Sequence, residues 1–155
     1  MKYVDVYQTF NIYYKTNNLA TGQTVIFNVW NENGQQLVTN QIGTEIGSDG
    51  VYYIDYTPTI SDYLLIIGSN NGSLPRPDVV KVGSPTEKAW YVNNSFSENQ
   101  TIPYEIYNSS GATIGSGSMI NVTNGFYYID VSGYSDPWFF EVYPNARRTT
   151  QDIVP

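Results

Sequence analysis

The chain has 155 residues and contains neither cysteine nor histidine. Without cysteine there is no disulfide framework and no thiolate metal site. Without histidine the commonest general base and the commonest metal ligand are both missing. Basic residues are scarce, seven against fourteen acidic ones, for a net charge of −7. A nucleic-acid partner would require a basic stripe, so none is expected. The one adjacent basic pair is Arg147-Arg148. No stretch approaches the ~18 apolar residues of a membrane span. The first ten residues, MKYVDVYQTF, lack the apolar run of a signal peptide, so the expectation is a cytoplasmically made product. Helical periodicity is missing too: no window sustains apolar residues at i, i+3, i+4 and i+7. There is no Gly-X-Ser-X-Gly elbow and no phosphate loop. The stretch GSGSM (115–119) reads as a connection, because no helix follows it.

What remains is apolar and aromatic. Apolar residues make up 41% of the chain, enough for a packed core. Aromatics make up 15%, and tyrosine supplies 15 of them against six phenylalanines and three tryptophans. Tyrosine carries a large apolar ring with a hydroxyl that tolerates water, so it suits half-buried strands and contact surfaces.

The sequence repeats itself. DGVYYIDY (49–56) returns as NGFYYIDV (124–131), an offset of 75. GQTVIFNVWNENG (22–34) lies over NQTIPYEIYNSSG (99–111) at an offset of 77, so that Asn31 falls on Asn108 and Gly34 on Gly111. IYYKTNNLATG (12–22) matches AWYVNNSFSEN (89–99), with Tyr13 on Trp90, Tyr14 on Tyr91 and Leu19 on Phe96. SDYLLIIGSN (61–70) is set against DPWFFEVYPN (136–145), again at 75. These correspondences divide the chain into two copies, 1–82 and 83–155, meeting near Gly83-Ser84-Pro85.

Within each copy, short runs of period 2, rich in Val, Ile, Tyr, Phe and Thr, alternate with Asn, Gly, Ser and Pro clusters. That is an all-β pattern. Positions apolar in both copies mark the face turned from water. They are Val25, Phe27, Val29, Tyr52 and Ile54 in the first copy, and Ile102, Tyr104, Ile106, Tyr127 and Ile129 in the second. Asn33-Gly34 and Ser110-Gly111 supply hairpin turns. Pro103 cannot donate to a ladder, so its strand is expected to be an edge or to carry a bulge there. By the offset of 75, Tyr63, Leu65 and Ile67 point inward with Trp138, Phe140 and Val142. Leu64, Ile66 and Phe139 are thereby left on the other face as candidates for a partner interface, together with Arg147 and Arg148 of the polar C-terminal tail.

About seven short strands in about 75 residues indicate a β-sandwich. The stretch DGVYYID resembles the Asp-X-Gly-X-Tyr-X-Cys signature of immunoglobulin-like domains, with Ile54 and Ile129 where the second cysteine would stand. The resemblance implies a tyrosine corner at Tyr52 and Tyr127, each hydroxyl tied to the loop before its own strand, with Gly50 and Gly125 serving the tight turn there. The expected fold is therefore two tandem Ig-like antiparallel β-sandwich domains from an internal duplication. They are similar to the Ig-like or fibronectin-like modules of bacterial surface proteins and bacteriophage particles.

Chemistry is thinly represented. Asp55 and Asp130 are equivalent and sit in different copies, so they make no close carboxylate pair. Glu45, Asp49 and Asp55 could gather around calcium, but no loop has EF-hand spacing and Asn124 replaces Asp49 in the second copy. No cofactor, metal or enzymatic activity is expected. The family resemblance implies a non-enzymatic structural protein of a large assembly. In that reading the chain is a bacteriophage virion accessory component (capsid decoration, head-auxiliary or neck/tail protein) binding other virion or surface proteins or further copies of itself. The alternative is a carbohydrate-binding or host-attachment module whose exposed rings, Tyr13, Trp90 and Trp138, carry sugars.

Overall fold

The computed structural model describes residues 1–71, 75–93, 95–134, 138–142 and 149–151. The chain forms two compact units, Met1–Pro85 and Thr86–Pro155. Both are built from largely antiparallel sheets, and the described residues are all-β apart from one 3-10 turn at Asn17–Leu19.

Unit 1 contains β1 (Lys2–Val4), β2 (Phe10–Lys15), β3 (Val25–Asn31), β4 (Gln36–Ile42), β5 (Thr44–Ile46), β6 (Val51–Tyr56), β7 (Asp62–Asn70) and β8 (Arg76–Val82). One sheet has the order β1-β8-β7-β3-β4 and the other β2-β6-β5. Only β1 runs parallel to its neighbour, β8. Unit 2 repeats the plan, with no counterpart of β1 among the described residues. It contains β9 (Lys88–Val92), β10 (Pro103–Asn108), β11 (Thr113–Ser118), β12 (Ile120–Thr123), β13 (Phe126–Asp130), β14 (Trp138–Val142) and β15 (Thr149–Gln151). Its sheets are β11-β10-β14-β15 and β12-β13-β9. Two facing sheets of this composition are the sandwich arrangement of immunoglobulin-like domains.

Alternation explains the core. In β3, Val25, Phe27 and Val29 are fully buried, and Ile102 and Ile106 are buried at the equivalent positions of unit 2. Tyr104, at the position of Phe27, is half-buried and packs on the second core. From the opposite sheets, Tyr52 and Ile54 enter the first core and Tyr127 and Ile129 the second.

The repeated polar residues build the same fastenings twice. Gln23 N–H donates to the Tyr52 hydroxyl at 2.6 Å, and Gln100 N–H to the Tyr127 hydroxyl at 3.0 Å. One residue earlier, Gly22 N–H donates to Glu45 at 2.9 Å and Asn99 N–H to the Asn121 side-chain oxygen at 3.1 Å. These bonds satisfy backbone donors where the chain crosses from one sheet to the other. In the hairpins, Asn31 Oδ1 accepts from Asn33 and Gln35 N–H, and Asn108 Oδ1 from Ser110 and Ala112 N–H. Gly50 and Gly125 have positive φ of 62° and 73°. A Cβ on Gly50 would lie 2.4 Å from the Leu19 carbonyl carbon, and one on Gly125 2.7 Å from Phe96 Cα, so both positions admit only glycine.

Three expectations are corrected. Leu64 and Ile66 belong to the first core, each 2% exposed, and are not on an outer face. The ladder shows why: Val29 pairs with Ile66 and Ile106 with Phe140, so the true offset across β7 and β14 is 74. The connection leading into β7 is one residue longer than its counterpart, and a one-residue slip sends every side chain to the other face. Tyr63 and Leu65 lie on the opposite face of β7 and are also fully buried.

Second, Tyr52 and Tyr127 do not make the tyrosine corner. Their strands sit at the centre of the three-stranded sheets, two strands before the end of each unit. Their hydroxyls reach the segments before β3 and β10, not the loops before their own strands. Third, β10 is a central strand, and Pro103 is accommodated because it is the first residue and pairs only with Ser118 of β11. The carboxylates weighed as a calcium site point apart: Glu45 faces inward, opposite Tyr52, whereas Asp55 faces out. Among the described residues no three potential ligands gather.

Candidate functional site

The outer face of β2-β6-β5 in unit 1 is open and carries both rings and polar groups. Phe10, Ile12 and Tyr14 of β2 turn into the core, which leaves Asn11, Tyr13 and Lys15 outside. In β6, Tyr52 and Ile54 point in, and Val51, Tyr53 and Asp55 point out. Register then sets the pairs: Asn11 opposite Asp55, Tyr13 opposite Tyr53, and Lys15 opposite Val51. Thr44 and Ile46 of β5 lie beyond β6 on the same face.

Tyr13 is 58% exposed. Its ring centroid is 6.3 Å from that of Tyr53, with the planes inclined at 43°. Beside them Asn11 Nδ2 donates to Asp55 Oδ1 at 2.6 Å, which positions the carboxylate and leaves its second oxygen to accept from a ligand. Asn11, Tyr13, Thr44, Ile46, Tyr53 and Asp55, with the inward-facing Glu45 between Thr44 and Ile46, line a shallow, open depression of about 400 Å³. Two rings with a fixed polar pair beside them can stack on an apolar ligand surface and accept its hydroxyls. They offer no nucleophile activated by a base.

The equivalent face of unit 2 carries Lys88, Trp90, Tyr128 and Asp130 and is organised differently. Trp90 is only 5% exposed and packs on Tyr128 with centroids 5.3 Å apart. Lys88 Nζ lies 4.6 Å from the Tyr128 ring centroid. Asp130 turns back into its own chain, accepting from the Ser132 hydroxyl at 2.6 Å and Ser132 N–H at 2.9 Å. Those two bonds, the hydroxyl's first, hold its carboxyl below the usual range, and nearby Lys88 lowers it further.

The sequence-derived candidates therefore separate. Tyr13 stands at an open platform, and Trp90 does not, because its ring is covered. Trp138 begins β14, but its side chain, like Arg147 and Arg148, lies outside the described residues. Phe139 is half-buried and stacks on Tyr107 at 5.1 Å and 15°. Tyr53, Asn11, Thr44 and Ile46 were missed. The signal for them was the period-2 placement of Tyr53 and Asp55 on one face, and the pairing to Asn11 and Tyr13 needs the register as well.

No protein-family model matches this chain, and no curated protein matches its sequence. In three dimensions it is similar to pullulanase from Anoxybacillus sp. LM18-11 complexed with maltotriose, at 12% identity and a TM-score of 0.30. It is also similar to pullulanase type I from Bacillus subtilis str. 168 complexed with maltose, at 9% identity and a TM-score of 0.28. The matches cover 96% of this chain but span only 24% and 23% of those enzymes. Overlap this low carries no argument about function.

Proposed function

We propose that this chain is a non-enzymatic binding module that recognises carbohydrate on the outer face of β2-β6-β5. The supporting observation is the pairing of the exposed Tyr13 ring and the half-buried Tyr53 ring with the Asn11–Asp55 hydrogen bond across one ladder. Pyranose rings present C–H faces that stack on an aromatic face, whose electron density attracts them. Their hydroxyls need acceptors, which the free Asp55 oxygen and Thr44 provide. A binding face built on strands needs no loop to order before a ligand arrives. The test is a broad glycan array with the whole chain, repeated with Tyr13→Ala and Tyr53→Ala. Binding that both substitutions abolish supports the reading, and silence across the array ends it.

A second reading, contact with other proteins in a large assembly such as a virion, draws on a different part of unit 1. Tyr7 holds a positive φ of 65° while its ring is 74% exposed, and its N–H bonds to Pro58 O at 2.8 Å. Ile60 on the adjoining loop is 61% exposed. A strained backbone that displays a large ring, on a loop bonded to one that displays another apolar side chain, suits a protein contact. Co-sedimentation with particles, lost in Tyr7→Ser plus Ile60→Ser, supports this reading; unchanged co-sedimentation removes these loops from it.

A further inference from the structure

The arrangement of the rings carries information about the shape of the chain they take. Resting on the carbohydrate reading above, we propose that this face selects neutral, coiled glycan chains over flat ribbon-like chains and over polyuronates. It would take two successive sugars running across the strands from β2 toward β5.

Three observations lead there. Tyr13 and Tyr53 are directly opposite on neighbouring strands, so a chain that uses both rings must cross the strands, one sugar to each ring. Their planes are inclined at 43° and both rings border the same depression, which makes the seat bent. In a ribbon-like chain such as a β-1,4-glucan, successive ring faces lie in one plane, so only one could lie flat here. In a coiled chain such as an α-1,4-glucan, each ring is rotated relative to the last, and both faces can be met together.

Charge decides the second half. Asp55 flanks the ring pair with one oxygen held by Asn11, so the carboxylate borders the sugars rather than turning away. A sugar carboxylate beside it would place two anions within a few ångströms, a repulsion that favours neutral chains. Lys15 stands at the other end of the face, two residues beyond Tyr13 along β2 and opposite Val51. The whole chain adds a net charge of −7 against a polyanion.

The experiment is calorimetric titration of the full chain with maltoheptaose, cellohexaose and an oligogalacturonate of similar length. The expected result is binding of maltoheptaose alone, weakened about tenfold or more by Tyr13→Ala and by Tyr53→Ala. Asp55→Asn is expected to admit the oligogalacturonate. Cellohexaose bound as well as maltoheptaose, with the same dependence on Tyr13, would overturn the selectivity and leave the platform standing. Exclusion of oligogalacturonate that persists in Asp55→Asn would overturn the charge argument. Binding indifferent to both tyrosines, or none to these three probes or any other glycan, would overturn the carbohydrate reading itself.

Discussion

The two three-stranded sheets share a backbone plan and differ on the faces they turn outward. In unit 1 that face holds Asn11, Tyr13, Tyr53 and Asp55, with an exposed ring and a carboxylate fixed by a side-chain amide. In unit 2 the same positions hold Lys88, Trp90, Tyr128 and Asp130, with the indole covered and the carboxylate folded into its own turn. The inward faces barely differ: Tyr52 and Tyr127, Ile54 and Ile129, and the Gln23 and Gln100 fastenings occupy matching places. Packing penalises change on the inner face, because each buried side chain touches many others and the interior has little free volume. The outer face carries no such penalty, so the copies could diverge there.

The comparison is most sharply tested on the inner side, where the largest effects lie. Leu64→Asp, which places a charge in the first core, is expected to unfold unit 1, and Leu64→Ala to cost ~2–5 kcal/mol in chemical denaturation. A surface-like response to Leu64→Asp would restore the outward placement that the ladder overturned. Next come the equivalent glycines. Gly50→Ala and Gly125→Ala should each cost more than ~2 kcal/mol, since both combine a left-handed backbone with a clash against main-chain atoms. A mild effect at one of them would show that the copies are fastened differently.

The outer faces should give opposite results under one type of substitution. Trp90→Ala removes a covered ring and is expected to cost ~3–5 kcal/mol of stability while leaving glycan binding alone. Tyr13→Ala should change stability by no more than ~1 kcal/mol while weakening glycan binding about tenfold or more. If the two exchange behaviour, the proposed binding face belongs to unit 2.

The smallest effect concerns Asp130, whose native pKa is depressed by Ser132. A depressed native pKa gives stability that is complete above the unfolded carboxyl value of about 3.9 and is lost as pH falls through the native one. Asp130→Asn is therefore expected to be slightly less stable than the parent at neutral pH, with the difference fading in acid. A thermal-melting series over pH measures this, and a difference that grows in acid would contradict the assignment.

Much of the fold was legible in the residues. The period-2 runs carried the all-β class, and positions apolar in both copies such as Val29, Ile54, Ile106 and Ile129 are hidden by the sandwich, whereas Tyr13 and Leu19, also matched by rings in the second copy, are exposed. The paired Asn and Gly of the hairpins were readable because turn chemistry is local. Two matters were not local. One extra residue ahead of β7 reversed the faces of that strand, and nothing in YLLIIG, apolar on both sides, reveals the slip. The place of β6 in the sheet order was likewise hidden, since DGVYYID describes a strand and its turn but not its neighbours. The site was half legible for the same reason. Tyr13 stood out as one of two adjacent rings, but its partners come from a strand some 40 residues away, and only the ladder brings them together.

The rings of the platform ride on β2 and on β6, and β6 is hydrogen-bonded on both sides. Such a strand opens to deuterium exchange late, through near-global unfolding rather than local fraying. On the proposed carbohydrate reading, sugar capture on this surface is therefore expected to proceed in one kinetic phase, with its enthalpy coming from stacking and hydroxyl contacts and little of it spent on refolding the receptor. A contact that orders nothing in the receptor can form and break quickly, which on the proposed carbohydrate reading would let the module move along a long glycan.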